Sequence, residues 1–304
     1  MIAAVDCGTN TIKLYVGTPP TAVVRTARMV RLGQGVDATG RIDDAAMRRA
    51  FEALDEYASI LAEHPVERIR FCATSATRDA SNAATFRAGV RERLGVEPEV
   101  LSGAEEAALT FAGAVRNLGS EPRLPVLVVD IGGGSTELVL GERDASGAVV
   151  VTQAFSMDVG SVRLHERHLH SDPPGPDEVE ACVGDVEAAL DASGVDVARA
   201  AQVVCVAGTA LTVGALALGH ATFDPAALDQ AVVDRSAVAE QADRLLALDV
   251  EARRALGPMH PGRADVVGAG AVVLDRVLAR AGVDHVTLSV ADILDGIAAS
   301  IATP

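Results

Sequence analysis

Two stretches of this sequence place an acid, a glycine turn and hydroxyl side chains in the same order. VDCGTNTIKLYVG occupies residues 5–17 and VDIGGGSTELVLG residues 129–141. They align without a gap: Val5 with Val129, Asp6 with Asp130, Gly8 with Gly132, Thr11 with Ser135, Leu14 with Leu138 and Gly17 with Gly141. An apolar strand that ends in Asp and turns through Gly suits oxyanion chemistry. Glycine lets the backbone approach a phosphate closely, and successive N–H groups can then share one concavity as an anion nest. Gly8, Thr9, Asn10 and Thr11 form one candidate phosphate cradle. Gly132, Gly133, Gly134, Ser135 and Thr136 form the other, with Thr9, Thr11, Ser135 and Thr136 as additional hydroxyl donors. A carboxylate cannot favour bare phosphate, so Asp6 and Asp130 read as holders of Mg2+, directly or through water. Glu137 puts a second acid on the far side of the GGGST run.

Two further loops carry candidate chemistry. In ATSATRDASN, Arg78 stands among small hydroxylic residues, where it could grip a terminal phosphate through charge-assisted bonds or pair with Asp79. In LSGAEEA, Ser102 and Glu105 have capping-box spacing. That gives Glu105 a structural duty and leaves Glu106 open to act as a general base on water, or to serve the helix dipole alone. Arg163 in DVGSVRL follows a glycine turn and could also meet phosphate. His165, His168 and His170 in HERHLH could meet a metal, but read better as a solvated helix face. His260 lies in a Pro-rich loop and gains no role from its neighbours.

Composition bounds what these groups can serve. The net charge is −16 and aromatics make up 3% with no Trp, which excludes a basic duplex-binding stripe and a base-stacking platform. A polyanionic substrate must therefore be held by local Arg, Lys and amide donors. Cys7, Cys72, Cys182 and Cys205 are too far apart in sequence for a C-x-x-C site and read as buried thiols in a reducing compartment. The N-terminus lacks signal-peptide features and no apolar run reaches a membrane span, so a cytoplasmic protein without membrane contact is expected. No G-x-x-x-x-G-K-[ST] or Rossmann fingerprint is present. GAGAVV at 268–273 reads as helix packing.

The positioning elements follow from periodicity. Residues 2–7, 12–17 and 22–30 predict a three-strand meander. A helix begins at Asp43 or Asp44, with Met47, Ala50, Phe51, Leu54, Ala58 and Leu61 on its apolar face. A strand at 68–73, the loop TSATRDASN, a helix ending near Leu94, a strand-like 96–101 and a helix from Glu105 complete the first half. The polar break LGSEPRLP at 118–125 is the expected domain boundary. Beyond it, strands at 125–131, 137–142 and 148–155 repeat the meander, and strands at 202–207 and 285–289 follow among helices. At roughly 150 residues per domain, 304 residues predict two. The first takes residues 1–122 plus the returning helix 292–304, and the second residues 123–291.

Taken together, the chain resembles the Ppx/GppA phosphatases, the exopolyphosphatases and guanosine pentaphosphate phosphohydrolases. The resemblance rests on VDCGTNTIKLYV, ATSATRDASN, LSGAEEA, VDIGGGSTELVLG, DVGSVRLHER, VAGTALTVGAL, PGRADVVGAGA and DILDGIA, in family order along nearly the whole chain. It implies an α/β protein of two actin-like, ribonuclease-H-type domains of the ASKHA superfamily flanking an interdomain cleft, and dependence on Mg2+. It implies Glu106 as catalytic base, Glu137 as a second acid near water and metal, Asp130 on the metal side and Arg78 on the phosphate. Lys13 stands where many members carry Arg or a neutral residue, and VAGTALTVGAL occupies the place of the superfamily's adenosine motif. The implied substrate is inorganic polyphosphate, in shorter chains because the longer relatives' C-terminal helical domains have no counterpart before residue 304. Guanosine pentaphosphate (pppGpp) is the alternative within the family. A non-catalytic polyphosphate or alarmone sensor and a small-molecule kinase are alternatives outside it. A homodimer is the default assembly.

Overall fold

The computed structural model describes residues 1–119 and 121–302. Ser120, Thr303 and Pro304 lie outside the described residues, so the expected boundary segment 118–125 and the end of the range 292–304 are described only in part. The chain forms two compact units, Met1–Gly113 together with the segment from Ile293, and Ala114–Asp292. The division falls within the helix Gly103–Arg116, upstream of residues 118–125. Among the described residues, no helix is long and apolar enough to cross a membrane.

The first unit is built on a five-stranded sheet of β1 (Ile2–Cys7), β2 (Thr11–Thr18), β3 (Thr21–Met29), β4 (Arg68–Ala73) and β5 (Glu99–Val100), in the order β3-β2-β1-β4-β5. The meander is antiparallel and β4 runs parallel to β1. Strand alternation sends Ala3, Val5 and Cys7 into a core with Tyr57, Phe71 and Phe86, under the helices Asp44–Ala62 and Ala83–Leu94. Ile2 and Ala4 point to the opposite face and pack on Ile293, Leu294, Ile297 and Ile301 of the helix Ile293–Ala302. Arg25 fixes that helix with a bidentate pair to Asp295 at 2.8 and 2.9 Å. Asp43 caps Asp44–Ala62, accepting from the amides of Ala45 and Ala46 at 2.8 and 3.3 Å.

The second unit has a six-stranded sheet of β6 (Val126–Ile131), β7 (Thr136–Arg143), β8 (Val149–Met157), β9 (Gln202–Val206), β10 (Val232–Asp234) and β11 (His285–Leu288), in the order β10-β11-β9-β6-β7-β8. Again the first three strands are antiparallel and the fourth is parallel to the first. A 3-2-1-4 core with this sense, built twice, is the ribonuclease-H-like arrangement of actin-like proteins, in an α/β chain. The helix Val267–Ala281 is buried along most of its length. Its Gly270 admits Thr209, whose side chain would lie 2.7 Å from a Cβ there, so GAGAVV serves helix packing.

Three local expectations change. TSATRD folds as the short helix Ser75–Asp79, with the amides of Thr77 and Arg78 both 3.0 Å from the Thr74 carbonyl. Ser and Thr usually disfavour helix because their hydroxyls compete for nearby backbone. Here the Ser75 hydroxyl is instead drawn 2.8 Å to that of Thr9. The strand expected over 96–101 contracts to Glu99–Val100, and β10 adds a short edge strand that periodicity did not reveal.

Candidate active site

The two repeated segments fold as the same hairpin. In β1–β2, Val5 pairs with Leu14, Asp6 with Lys13 and Cys7 with Ile12. In β6–β7, Val129 pairs with Leu138, Asp130 with Glu137 and Ile131 with Thr136. The Gly8 amide donates to the Thr11 carbonyl at 3.0 Å, and the Gly132 amide to the Ser135 carbonyl at 3.0 Å. The closing glycines also share a duty, because each sits at a register shift against the third strand, at Val16/Gly17 and Leu140/Gly141. A Cβ on Gly17 would lie 2.3 Å from the Thr21 carbonyl oxygen.

Each turn is braced from behind by the segment that leaves its third strand. The Thr9 carbonyl accepts from Gly33 N at 2.8 Å, and the Asn10 carbonyl from the amides of Val30 and Arg31 at 3.0 Å each. In the second unit, Ser161 N bonds the Gly132 carbonyl at 3.0 Å, Val162 N and Arg163 N bond the Gly133 carbonyl at 2.8 and 3.1 Å, and Arg163 Nε bonds the Gly134 carbonyl at 2.7 Å. A trans peptide carries its C=O and following N–H in opposite directions. Carbonyls drawn into the protein therefore turn the amides of Asn10 and Thr11, and of Gly133, Gly134 and Ser135, the other way. Gly160 makes the brace possible, since a Cβ there would lie 2.6 Å from the Gly133 carbonyl oxygen. The glycine turn of DVGSVRL, read from the sequence as a place where Arg163 could meet phosphate, also serves as this brace, and Arg163 buttresses the turn through its Nε.

One expected hydroxyl donor is already committed, since Thr136 Oγ1 donates to the Val159 carbonyl at 2.7 Å. Thr9 Oγ1 lies 2.8 Å from Ser75 Oγ, a bond in which either hydroxyl can be the donor. Asn10 Oδ1 and Thr77 Oγ1 are buried without a hydrogen-bond partner, an arrangement that favours polar atoms from a ligand or water.

The acids behind the turns differ in setting. Asp6 Oδ2 lies 2.9 Å from Lys13 Nζ, so in the first unit an ammonium occupies the place expected for a cation. Asp6 is thus paired with Lys13 in the first unit. In the second unit the equivalent cross-strand pair is Asp130 and Glu137, two buried acids directly opposite each other. Like charges so placed destabilise a sheet unless a proton or cation intervenes. Two carboxylates with substrate and water oxygens match the usual way Mg2+ is held. Among the described residues no group of three or more His, Cys, Asp or Glu side chains is placed to hold a metal. Burial, and secondarily Asp6 and Asp130, push the Cys7 and Cys205 thiols well up, which removes them as nucleophiles.

Glu106 and Arg78 meet within the first unit. Arg78 Nη1 is 3.1 Å from Glu106 Oε2 and donates to the Leu101 carbonyl at 2.9 Å. Its Nε is 4.0 Å from Asp79, a looser contact. Glu105 closes the capping box, accepting from Ser102 N and Ser102 Oγ at 2.8 Å each, while Ser102 Oγ accepts from Glu105 N at 3.3 Å. The Ser102 amide, then its hydroxyl, hold the Glu105 carboxyl below its ordinary range. Glu106 is buried and Glu105 exposed, so the two adjacent acids have separate environments.

The histidines divide. His168 Nε2 pairs with Asp185 at 2.9 Å, whereas His165 and His170 line a cavity of about 390 Å³ with Arg253 and Asp265. His260 caps the turn Pro261–Arg263, its Nδ1 accepting from Gly262 N at 3.1 Å. Burial, and then Arg263, lower its pKa, which keeps the ring neutral and able to accept. The loop it holds carries Arg263, whose guanidinium lies over Gly208 so closely that a Cβ there would be 2.1 Å from it. Burial lowers the Arg263 pKa, and among the described residues its side chain has no hydrogen-bond partner. Arg263 is a candidate anion ligand that sequence reasoning overlooked; its signal was an Arg in PGRAD, ahead of a glycine-rich helix.

A doubled ribonuclease-H-like unit with an amide-lined Asp-x-Gly turn in each half defines an actin-like protein built for phosphoryl groups. The profile of the Ppx/GppA phosphatase family matches residues 11–302, and the chain belongs to that family. Exopolyphosphatase 2 of Mycobacterium tuberculosis is 44% identical over 99% of this chain and 98% of its own length. The crystal structure of an exopolyphosphatase-like protein superposes with a TM-score of 0.95 at 41% identity, covering 99% of this chain and 98% of that one. An exopolyphosphatase from Cytophaga hutchinsonii superposes with a TM-score of 0.89 at 26% identity, covering 99% and 97%.

Proposed function

We propose that the chain is an exopolyphosphatase that releases terminal orthophosphate from inorganic polyphosphate, preferring shorter chains. The observation that carries this reading is the repeated turn, with amides of residues 10–11 and 133–135 directed away from the braces that hold their carbonyls. Each row of amide donors suits an anionic phosphoryl group. The name of the M. tuberculosis relative supports the same substrate.

In this mechanism each turn offers its backbone amides to phosphoryl oxygens of the substrate. Arg78 grips the terminal group while holding Glu106, and Glu106 orients a water and takes its proton during in-line attack. Asp130 and Glu137 would hold Mg2+, which would offset phosphoryl charge when bound. Rate enhancement comes from positioning and electrostatics. Four buried free thiols fit the reducing cytoplasm, and a two-fold homodimer is the proposed assembly.

The test is phosphate release from short polyphosphate, long polyphosphate and pppGpp, each with and without Mg2+. Fastest release from short polyphosphate with Mg2+ is expected. Preference for pppGpp would move the substrate to the guanosine pentaphosphate. Tight binding without release would make the protein a sensor, and phosphate transfer to an added acceptor would make it a kinase.

A further inference from the structure

We propose that Ser156 is a positioning residue for Glu137 and sets the affinity of the Asp130–Glu137 pair for a divalent cation. The inference rests on the metal reading given above. Glu137 on β7 has two direct cross-strand partners, Asp130 on β6 and Ser156 on β8. Directly opposed residues present their side chains on one face with Cβ atoms about 5 Å apart. Asp130, Glu137 and Ser156 thus form a single row across three strands. Ser156 Oγ lies 2.7 Å from Glu137 Oε1. An ionised carboxylate only accepts, so the hydroxyl is the donor.

The terminal torsion of a glutamate is a soft rotor. A hydrogen bond to one oxygen fixes the carboxylate plane and leaves the second oxygen with a defined direction. β8 is the last strand of its sheet, so no further strand supplies an alternative brace on that side. Its register is locked one residue beyond, where Met157 pairs with Thr136 and the Thr136 hydroxyl bonds the Val159 carbonyl at 2.7 Å. The corresponding row of the first unit is Asp6, Lys13 and Ala27. There the middle residue is a cation already paired with its acid, and the third carries no hydroxyl. The orienting hydroxyl occurs only in the row whose middle residue is an acid.

Hydrogen bonds to ligating carboxylates typically change metal affinity by about 10–100-fold when removed. The experiment measures Mg2+ binding by calorimetry for the wild type, Ser156→Ala, Ser156→Thr, Asp130→Asn and Glu137→Gln, with the Mg2+ dependence of phosphate release in parallel. Ser156→Ala is expected to weaken Mg2+ binding about 10-fold and to raise the Mg2+ concentration for half-maximal activity similarly. Turnover at saturating Mg2+ and the metal-free Tm should stay close to wild type, and Ser156→Thr should restore Mg2+ affinity. A Ser156→Ala protein with a lowered metal-free Tm and unchanged Mg2+ affinity would overturn the proposal and leave Ser156 a merely structural residue. Loss of Mg2+ binding in Glu137→Gln but not in Ser156→Ala would remove the positioning role alone. Unchanged binding in both Asp130→Asn and Glu137→Gln would remove the metal reading itself, and the proposal with it.

Discussion

Arg78 and Glu106 come from separate elements, a short helix after β4 and the first turn of the helix Gly103–Arg116, and meet at 3.1 Å. The pair fixes the direction of a buried carboxylate and brings a cation to it. Replacing Glu106 by Gln preserves shape while removing the base. Phosphate release should fall at least about 100-fold, the usual contribution of a positioned general base. Circular dichroism and Tm should remain close to wild type, and near-normal turnover would reject the assignment.

Lys13 and Asp6 make a second close pair, across the first hairpin. Lys13→Ala leaves the Asp6 carboxylate buried without its ammonium. A cost of about 2 kcal/mol is expected, below the usual range for broken buried pairs because Lys13 is partly exposed. In a denaturant double-mutant cycle, adding Asp6→Asn should recover most of that loss.

Gly160 is the narrowest point of the second brace. In Gly160→Ala the methyl group meets the backbone of Gly133 and Gly134, which cannot rotate away as a side chain would. The expected result is a folded protein with KM for polyphosphate raised about 10-fold or more, since phosphate donors must hold near-productive geometry. An unchanged KM would mean that this turn does not contact substrate.

Arg263 should exchange stability for binding. Its guanidinium is unpartnered among the described residues, and burial disfavours its charge. Arg263→Met should raise the stability of the ligand-free protein by about 1 kcal/mol while weakening substrate affinity. A lower Tm would instead identify the arginine as structural.

Glu105 supplies a pH test. Its folded-state pKa is depressed by Ser102, so its stabilisation is present above the unfolded value and lost as pH falls through the folded one. Glu105→Gln should lower Tm at neutral pH. The deficit should shrink below the unfolded glutamate value of about 4.3 and vanish once the folded-state carboxyl is protonated. A deficit constant with pH would show that charge plays no part in this cap.

Local pattern carried much of this protein. Alternation gave the strand 68–73 at its observed bounds, Asp43 marked a cap, and Ser102 and Glu105 announced a capping box, because each depends on residues within a few positions of one another. The internal repeat likewise exposed both Asp-x-Gly turns, since register in a tight hairpin is set by its own sequence. Other features were invisible at that range. TSATRD folds as a short helix whose Ser75 hydroxyl meets Thr9, 66 residues away. The Thr136 hydroxyl bonds the Val159 carbonyl, and the Asp6 carboxylate pairs with Lys13, contacts that the motif alone did not announce. Sequence by itself determined which residue types could bind phosphate and where the chain repeats. Tertiary structure alone decided which way the amides face, which acid is neutralised and which stays paired with another acid, because those outcomes depend on hydrogen-bond partners delivered by distant segments.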